Sequence, residues 1–146
     1  MEPINWNNIN DAPNFSQCLV NQYIEAKIVS VYDGDSVKAI FPLNNVMYKW
    51  SCRLTGIDTP EIRTSNHTEK KYGYLVRNRL RNKILNKVVL LKCGTLDKYG
   101  RLLVEIVCDN CNINKWLIEN SYAFPYDGGK KRSWSKYLEE NNVQLY

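Results

Sequence analysis

Three short segments of this chain carry side chains suited to chemistry on an anionic phosphorus centre. The first is Val31-Tyr32-Asp33-Gly34-Asp35-Ser36-Val37. The second is Cys52-Arg53-Leu54-Thr55-Gly56-Ile57-Asp58-Thr59-Pro60-Glu61, and the third is Asp97-Lys98-Tyr99-Gly100-Arg101. A phosphodiester repels its nucleophile and gathers more negative charge as it reacts. A site that cleaves one needs cations around phosphorus, a held metal ion and a base for water. A hard cation such as calcium takes clustered oxygen ligands, and the first two segments carry carboxylates at Asp35, Asp58 and Glu61. Arginine presents a planar fork that matches two phosphate oxygens, and Arg53 and Arg101 are placed to offer it. Arg53 lies among strand residues, where a guanidinium needs an anionic partner; Glu61 is one such partner in a purely structural reading. Read singly, Asp33-Gly34 is a hairpin turn and Asp58 a turn or helix cap.

Elements must hold these segments. Ile24, Ala26, Ile28 and Val31 predict a first strand whose alternation slips near Ser30, broken by a tight Asp-Gly turn. Ser36–Phe41 and Val46–Leu54 predict two more strands joined at Pro42–Asn45. Ile62–Lys70 reads as a polar loop. Tyr72, Val76, Leu80 and Ile84 make one apolar stripe, so a helix is expected over Tyr72–Leu85, with Arg77, Arg79, Arg81, Lys83 and Lys87 on its other sides. Strands follow at Val88–Cys93 and Arg101–Cys108, then helices at Asn114–Tyr122 and Ser133–Asn141. Residues 1–22 read as an irregular extension and 23–146 as the domain. Such an order predicts an α+β, mainly β, five-stranded Greek-key barrel of the OB type with about three helices outside.

The three segments, in this order, resemble the staphylococcal nuclease family, as does Ile113-Asn114…Leu117-Ile118…Tyr122-Ala123. The resemblance runs from about Ile24 to Tyr126. It implies a calcium-dependent nuclease of DNA, RNA or both whose products end in 3′-phosphate. Asp35 and Asp58 would ligate calcium through carboxylates and Thr59 through its carbonyl, with Asp33 orienting the metal site. Glu61 would be the general base, and Arg53 and Arg101 would stabilise the transition state. Lys98 and Tyr99 would contact a neighbouring phosphate, and Tyr126 would stack on a base or sugar. Ser36 stands where the family has threonine, and the second tyrosine expected near Tyr126 has no counterpart. A non-catalytic nucleic-acid- or peptide-binding relative is the alternative.

Composition fits that picture. The 146-residue chain suits one core, and its charge of +5 favours an anionic partner. There is no apolar run of about 18 residues to span a membrane. The polar, Asn-rich start lacks the apolar centre of an export signal, and the five scattered cysteines read as reduced thiols. A cytoplasmic location is therefore expected, and a monomer is the expected state although the sequence does not report on it; the richness in Asn, Ile and Lys is consistent with an AT-rich genome such as that of a large DNA virus, and then with the host cytoplasm. Cys108 and Cys111 form one CxxC, best read as two thiols at a hairpin turn.

Overall fold

A computed structural model describes residues 2–143. The last three residues of the expected domain, and Met1 of the expected extension, lie outside the described residues. The strands are β1 (Tyr23–Val31), β2 (Ser36–Leu43), β3 (Val46–Leu54), β4 (Ile57–Asp58), β5 (Val88–Leu96), β6 (Leu102–Cys108), β7 (Cys111–Asn112) and β8 (Phe124–Pro125). The helices are α1 (His67–Ile84), α2 (Ile113–Glu119) and α3 (Trp134–Glu140).

Alternation closes the sheet. In β6 every second residue is buried, and β2 and β5 show the same period over most of their length. Neighbours run β3-β2-β1-β5-β6, and β6 then pairs in parallel with β3, so five strands form a closed, mixed barrel. Closure removes the open edges. Ile28, Ala39, Phe41, Leu54, Leu91, Leu102, Val104 and Ile106 fill the interior. The register of β1 against β2 shifts between Ile28 and Ser30, a bulge where the sequence loses its alternation. The hairpin turns Asn44-Asn45 and Asp109-Asn110 each place both residues at positive φ, a conformation Asn and Asp tolerate. Cys108 and Cys111 face each other across the second turn, and all five cysteines are free.

Three helices pack outside. Helix α1 buries Tyr72, Val76, Leu80 and Ile84, the expected stripe. It starts earlier than that stripe does. The Asn66 side chain accepts from the Glu69 N–H and caps a first turn that is largely exposed, so hydrophobic spacing could not reveal it. Helix α2 buries Ile113 and Leu117, and buried Asn114 fastens it to the barrel: its amide accepts from Ile106 N–H and donates to the Thr55 and Val104 carbonyls. Helix α3 buries Trp134, stacked on Phe124 with centroids 3.9 Å apart. Helix α2 stops before its C-cap Asn120, and α3 lies between its N-cap Ser133 and its C-cap Asn141, so each is shorter than the expected span.

The N-terminal residues form two short 3-10 turns, Trp6–Asn8 and Phe15–Gln17, before joining the barrel. Leu19 is buried, and Asn21 and Gln22 exchange backbone hydrogen bonds with Cys93. The end of the expected irregular extension thus belongs to the packed structure.

Candidate active site

The turn from β1 to β2 carries the first acidic pair. Asp33 Oδ1 accepts from the Asp35 N–H at 3.1 Å, and Ser36 Oγ lies 3.2 Å from Asp35 Oδ1. The Asp35 carbonyl accepts from the Leu54 N–H at 2.8 Å, which ties the turn to the end of β3. Gly34 does not adopt the positive φ expected of a tight Asp-Gly turn. Its role is close approach: a Cβ there would lie 2.8 Å from Thr59 Cβ and Cγ2 and from Val76 Cγ1. Only glycine lets this turn seat against the segment that carries Asp58 and Thr59.

That second segment is held by β4 pairing with β8, where Asp58 faces Phe124. Asp58 and Thr59 are buried, as are Asp33 and Asp35. Glu61 lies on the rim. Its N–H donates to Glu69 Oε2 at 2.9 Å, so the first turn of α1 anchors it. A second close approach helps: a Cβ on Gly73 would lie 2.9 Å from the Glu61 carbonyl oxygen.

Crowded acids shift one another. Burial, and then the Asp35 charge, push the Asp33 carboxyl up to about 7. Partial desolvation raises Glu61 first, and Asp35 adds to it; Lys131 opposes the rise, while Asp58 and Glu69 reinforce it. Glu61 therefore shares one electrostatic neighbourhood with both candidate metal ligands.

Two cations reach into this cluster. Arg53 Nη2 lies 3.3 Å from Asp35 Oδ2, and the guanidinium also donates to the Leu54 and Ile57 carbonyls. The anionic partner of Arg53 is thus Asp35, not Glu61. Lys131 Nζ lies 3.3 Å from Asp58 Oδ1. Sequence reasoning missed Lys131; its only signal was the basic run Lys130-Lys131-Arg132.

Arg53 also lines an open groove of about 800 Å³, with Lys98, Tyr99, Arg101 and Tyr126. The parallel pairing of β3 with β6 sets Cys52 beside Leu102, which brings the two arginine segments together. Arg101 is oriented by Asp97: Nε donates to Oδ2 at 2.8 Å and the backbone N–H to Oδ1 at 2.9 Å. Burial alone would raise Asp97, but the bonds from Arg101 and the Tyr99 N–H hold it below the ordinary carboxylate range. Tyr99 is 72% exposed, with Lys98 and Arg101 over its ring at 5.1 Å and 5.4 Å. Tyr126 is placed by its N–H to the Gly56 carbonyl and its hydroxyl to the Gly129 carbonyl.

The structure therefore gathers the predicted residues in two adjoining sets. Arg53, Lys98, Tyr99, Arg101 and Tyr126 line the groove. Asp33, Asp35, Asp58, Thr59 and Glu61 form the acidic set beside it, with Arg53 common to both. Among the described residues, no three His, Cys, Asp or Glu side chains are arranged to hold an ion on their own. The donor set that the resemblance implies, two carboxylates and the Thr59 carbonyl, does not need a third. Its all-oxygen chemistry suits a hard cation, and the buried Asp58 carboxylate already draws an ammonium group to 3.3 Å. Among the described residues no helix is long and apolar enough to cross a membrane.

Comparison with known proteins bears on the family. An uncharacterized protein of Methanocaldococcus jannaschii is 31% identical over 130 residues, covering 73% of this chain and 61% of that protein. A probable staphylococcal-like nuclease of Oryza sativa is 32% identical over 102 residues, covering 67% of this chain and 26% of that protein. A probable endonuclease of Vanderwaltozyma polyspora is 34% identical over 80 residues, covering 52% and 29%. The chain thus spans less than two thirds of the length of each. The family described as Staphylococcal nuclease homologue matches residues 51–143, a stretch that includes Arg53, Asp58, Glu61 and Arg101. With that match and a closed five-stranded barrel beneath it, the chain belongs to the staphylococcal nuclease homologue family.

Proposed function

We propose that this chain is a calcium-dependent nuclease that hydrolyses phosphodiester bonds of DNA, RNA or both. The observation that carries the reading is Arg53, which bonds Asp35 at 3.3 Å and at the same time faces the groove that holds Arg101. One guanidinium so placed joins an acidic seat for a cation to a cationic seat for a phosphate.

Asp35, Asp58 and the Thr59 carbonyl would hold calcium, which when bound supplies charge neutralisation beside the phosphate. Arg53 and Arg101 grip the equatorial oxygens, where negative charge grows during attack. Glu61 takes the proton of a water molecule, and that oxygen attacks phosphorus in line. The raised proton affinity of Glu61 suits a base of this kind. The bond from phosphorus to the 5′-oxygen breaks, that oxygen takes a proton from solvent to become a 5′-hydroxyl, and the other product strand ends in 3′-phosphate. Lys98 and Tyr99 hold the neighbouring phosphate, and the Tyr126 ring packs on the nucleotide.

A calcium titration of plasmid nicking, run in parallel with single-stranded DNA and RNA, tests the proposal. Cleavage should require calcium, stop in excess chelator and be lost in Glu61→Gln. Full activity in chelator would remove the metal from the mechanism, and tight binding without cleavage would make this chain a binding module.

A further inference from the structure

Lys131 has a second neighbourhood. Beyond its contact with Asp58 it borders another open pocket, of about 500 Å³, lined by Lys130, Lys131, Arg132 and Lys136 with Tyr137 and Glu140. Four cations meet one carboxylate there. That carboxylate, Glu140, lies 4.0 Å from Lys136, and both side chains are largely exposed, so the pair neutralises little.

This pocket is continuous with the candidate active site through one segment of chain. Residues 126–128 wall the groove and residues 130–133 wall the basic pocket. Lys131 spans the two, with Nζ 3.3 Å from Asp58 Oδ1 and 5.5 Å from the centre of the Tyr126 ring. The chemistry of the pocket is that of a phosphate seat, not a base seat. Its one aromatic ring, Tyr137, packs edge-on against Phe124 and Trp134. Arg132 is held over the Phe124 ring at 4.2 Å. Lys130 and Lys136 are exposed, and the Lys136 pair with Glu140 is a long one at 4.0 Å, so both can turn toward an anion.

We propose that Lys130, Arg132 and Lys136 form a shelf that binds the phosphodiester backbone of the substrate beyond the scissile position, with Lys131 as its link to the active site. The proposal rests on the nucleic-acid reading of the groove. It gives the protein a preference for polymers over short fragments, because only a longer strand can occupy groove and shelf together.

Binding measured without cleavage tests it. Fluorescence anisotropy in excess chelator, over a series of salt concentrations, compares the parent chain with Lys130→Ala/Lys136→Ala. Each lost phosphate contact lowers the slope of log affinity against log salt by about 0.9 on duplex and about 0.7 on single strands. The double variant should therefore be shallower by about 1.8 on a labelled duplex and about 1.4 on a single strand. Lys27→Ala/Lys115→Ala removes the same charge from exposed positions outside the pocket and should keep the parent slope. An unchanged slope in the shelf variant, equal flattening in the control pair, or no binding by the parent at low salt would each overturn the shelf. If the parent cleaves with calcium and the slopes coincide, only the shelf falls. If the slope flattens and the parent never cleaves, the nuclease reading falls and the shelf stands.

Discussion

Arg53 and Arg101 are alike in proposed role and unlike in setting, and the difference fixes what their loss should do. Arg101 is partly exposed and held on one side by Asp97, so removing it leaves the barrel intact. Arg101→Ala should lower the cleavage rate by about 10²–10³, since one charged transition-state contact is lost, with only a small loss of stability because Asp97 keeps the Tyr99 and residue-101 backbone N–H bonds. Arg53→Ala removes in addition the partner of buried Asp35 and a donor to two carbonyls, so it should also destabilise the fold by about 1–3 kcal/mol. Equal stability of the two variants by urea unfolding would contradict that assignment. Asp33 makes a separate prediction in calcium-free buffer. Its proton affinity is raised on folding, up to about 7, by burial and by Asp35. The folded chain therefore holds a proton that the unfolded chain releases near the ordinary aspartate value of about 4. This contribution is fully present below that value and is lost as pH rises toward 7. Stability should fall across that window in the parent, and the fall should be shallower in Asp33→Asn; parallel pH profiles would show that Asp33 carries no such proton.

Elements matter here through how closely they approach. Gly34 lets the β1–β2 turn touch Thr59 and Val76 at a distance no Cβ tolerates, and Gly73 does the same for α1 against Glu61. Gly34→Ala should destabilise by about 1–3 kcal/mol through overpacking, and should cut activity because the turn carries Asp35. A variant as stable and active as the parent would mean the turn has room that the packing denies it. These contacts also mark the limit of what could be read in the sequence. Strands, the α1 stripe and the β1 bulge follow from local alternation, which depends only on neighbours along the chain. The three acid and arginine segments were legible because each is compact in sequence. Lys131 and the close-approach function of Gly34 were not, because both are defined by residues far along the chain that meet only when the barrel closes. The start of α1 was missed for the opposite reason: it is set by the Asn66 cap and leaves little apolar trace.

At the scale of the whole molecule, the charge is arranged as a buried acidic centre under a basic surface. The net charge is +5, yet Asp33, Asp35 and Asp58 are all buried within one neighbourhood, balanced by Arg53 and Lys131. Under the proposed function a bound calcium ion would take the place of these cations beside Asp35 and Asp58. A ligand that binds the folded chain alone stabilises it by mass action, by about 2.7 kcal/mol at a hundred times its dissociation constant. For a chain of this size that raises the melting temperature by something on the order of 5–10 °C. Calcium should therefore raise the melting temperature of the parent in a concentration-dependent way, with no nucleic acid present. Asp35→Asn and Asp58→Asn should each abolish most of the shift, whereas Arg101→Ala, which only faces the groove, should keep it. That pattern separates the cation seat from the phosphate seat without reference to turnover. Scanning calorimetry of the four proteins at several calcium concentrations would decide it: identical melting temperatures with and without calcium would leave the acidic centre without a metal to hold.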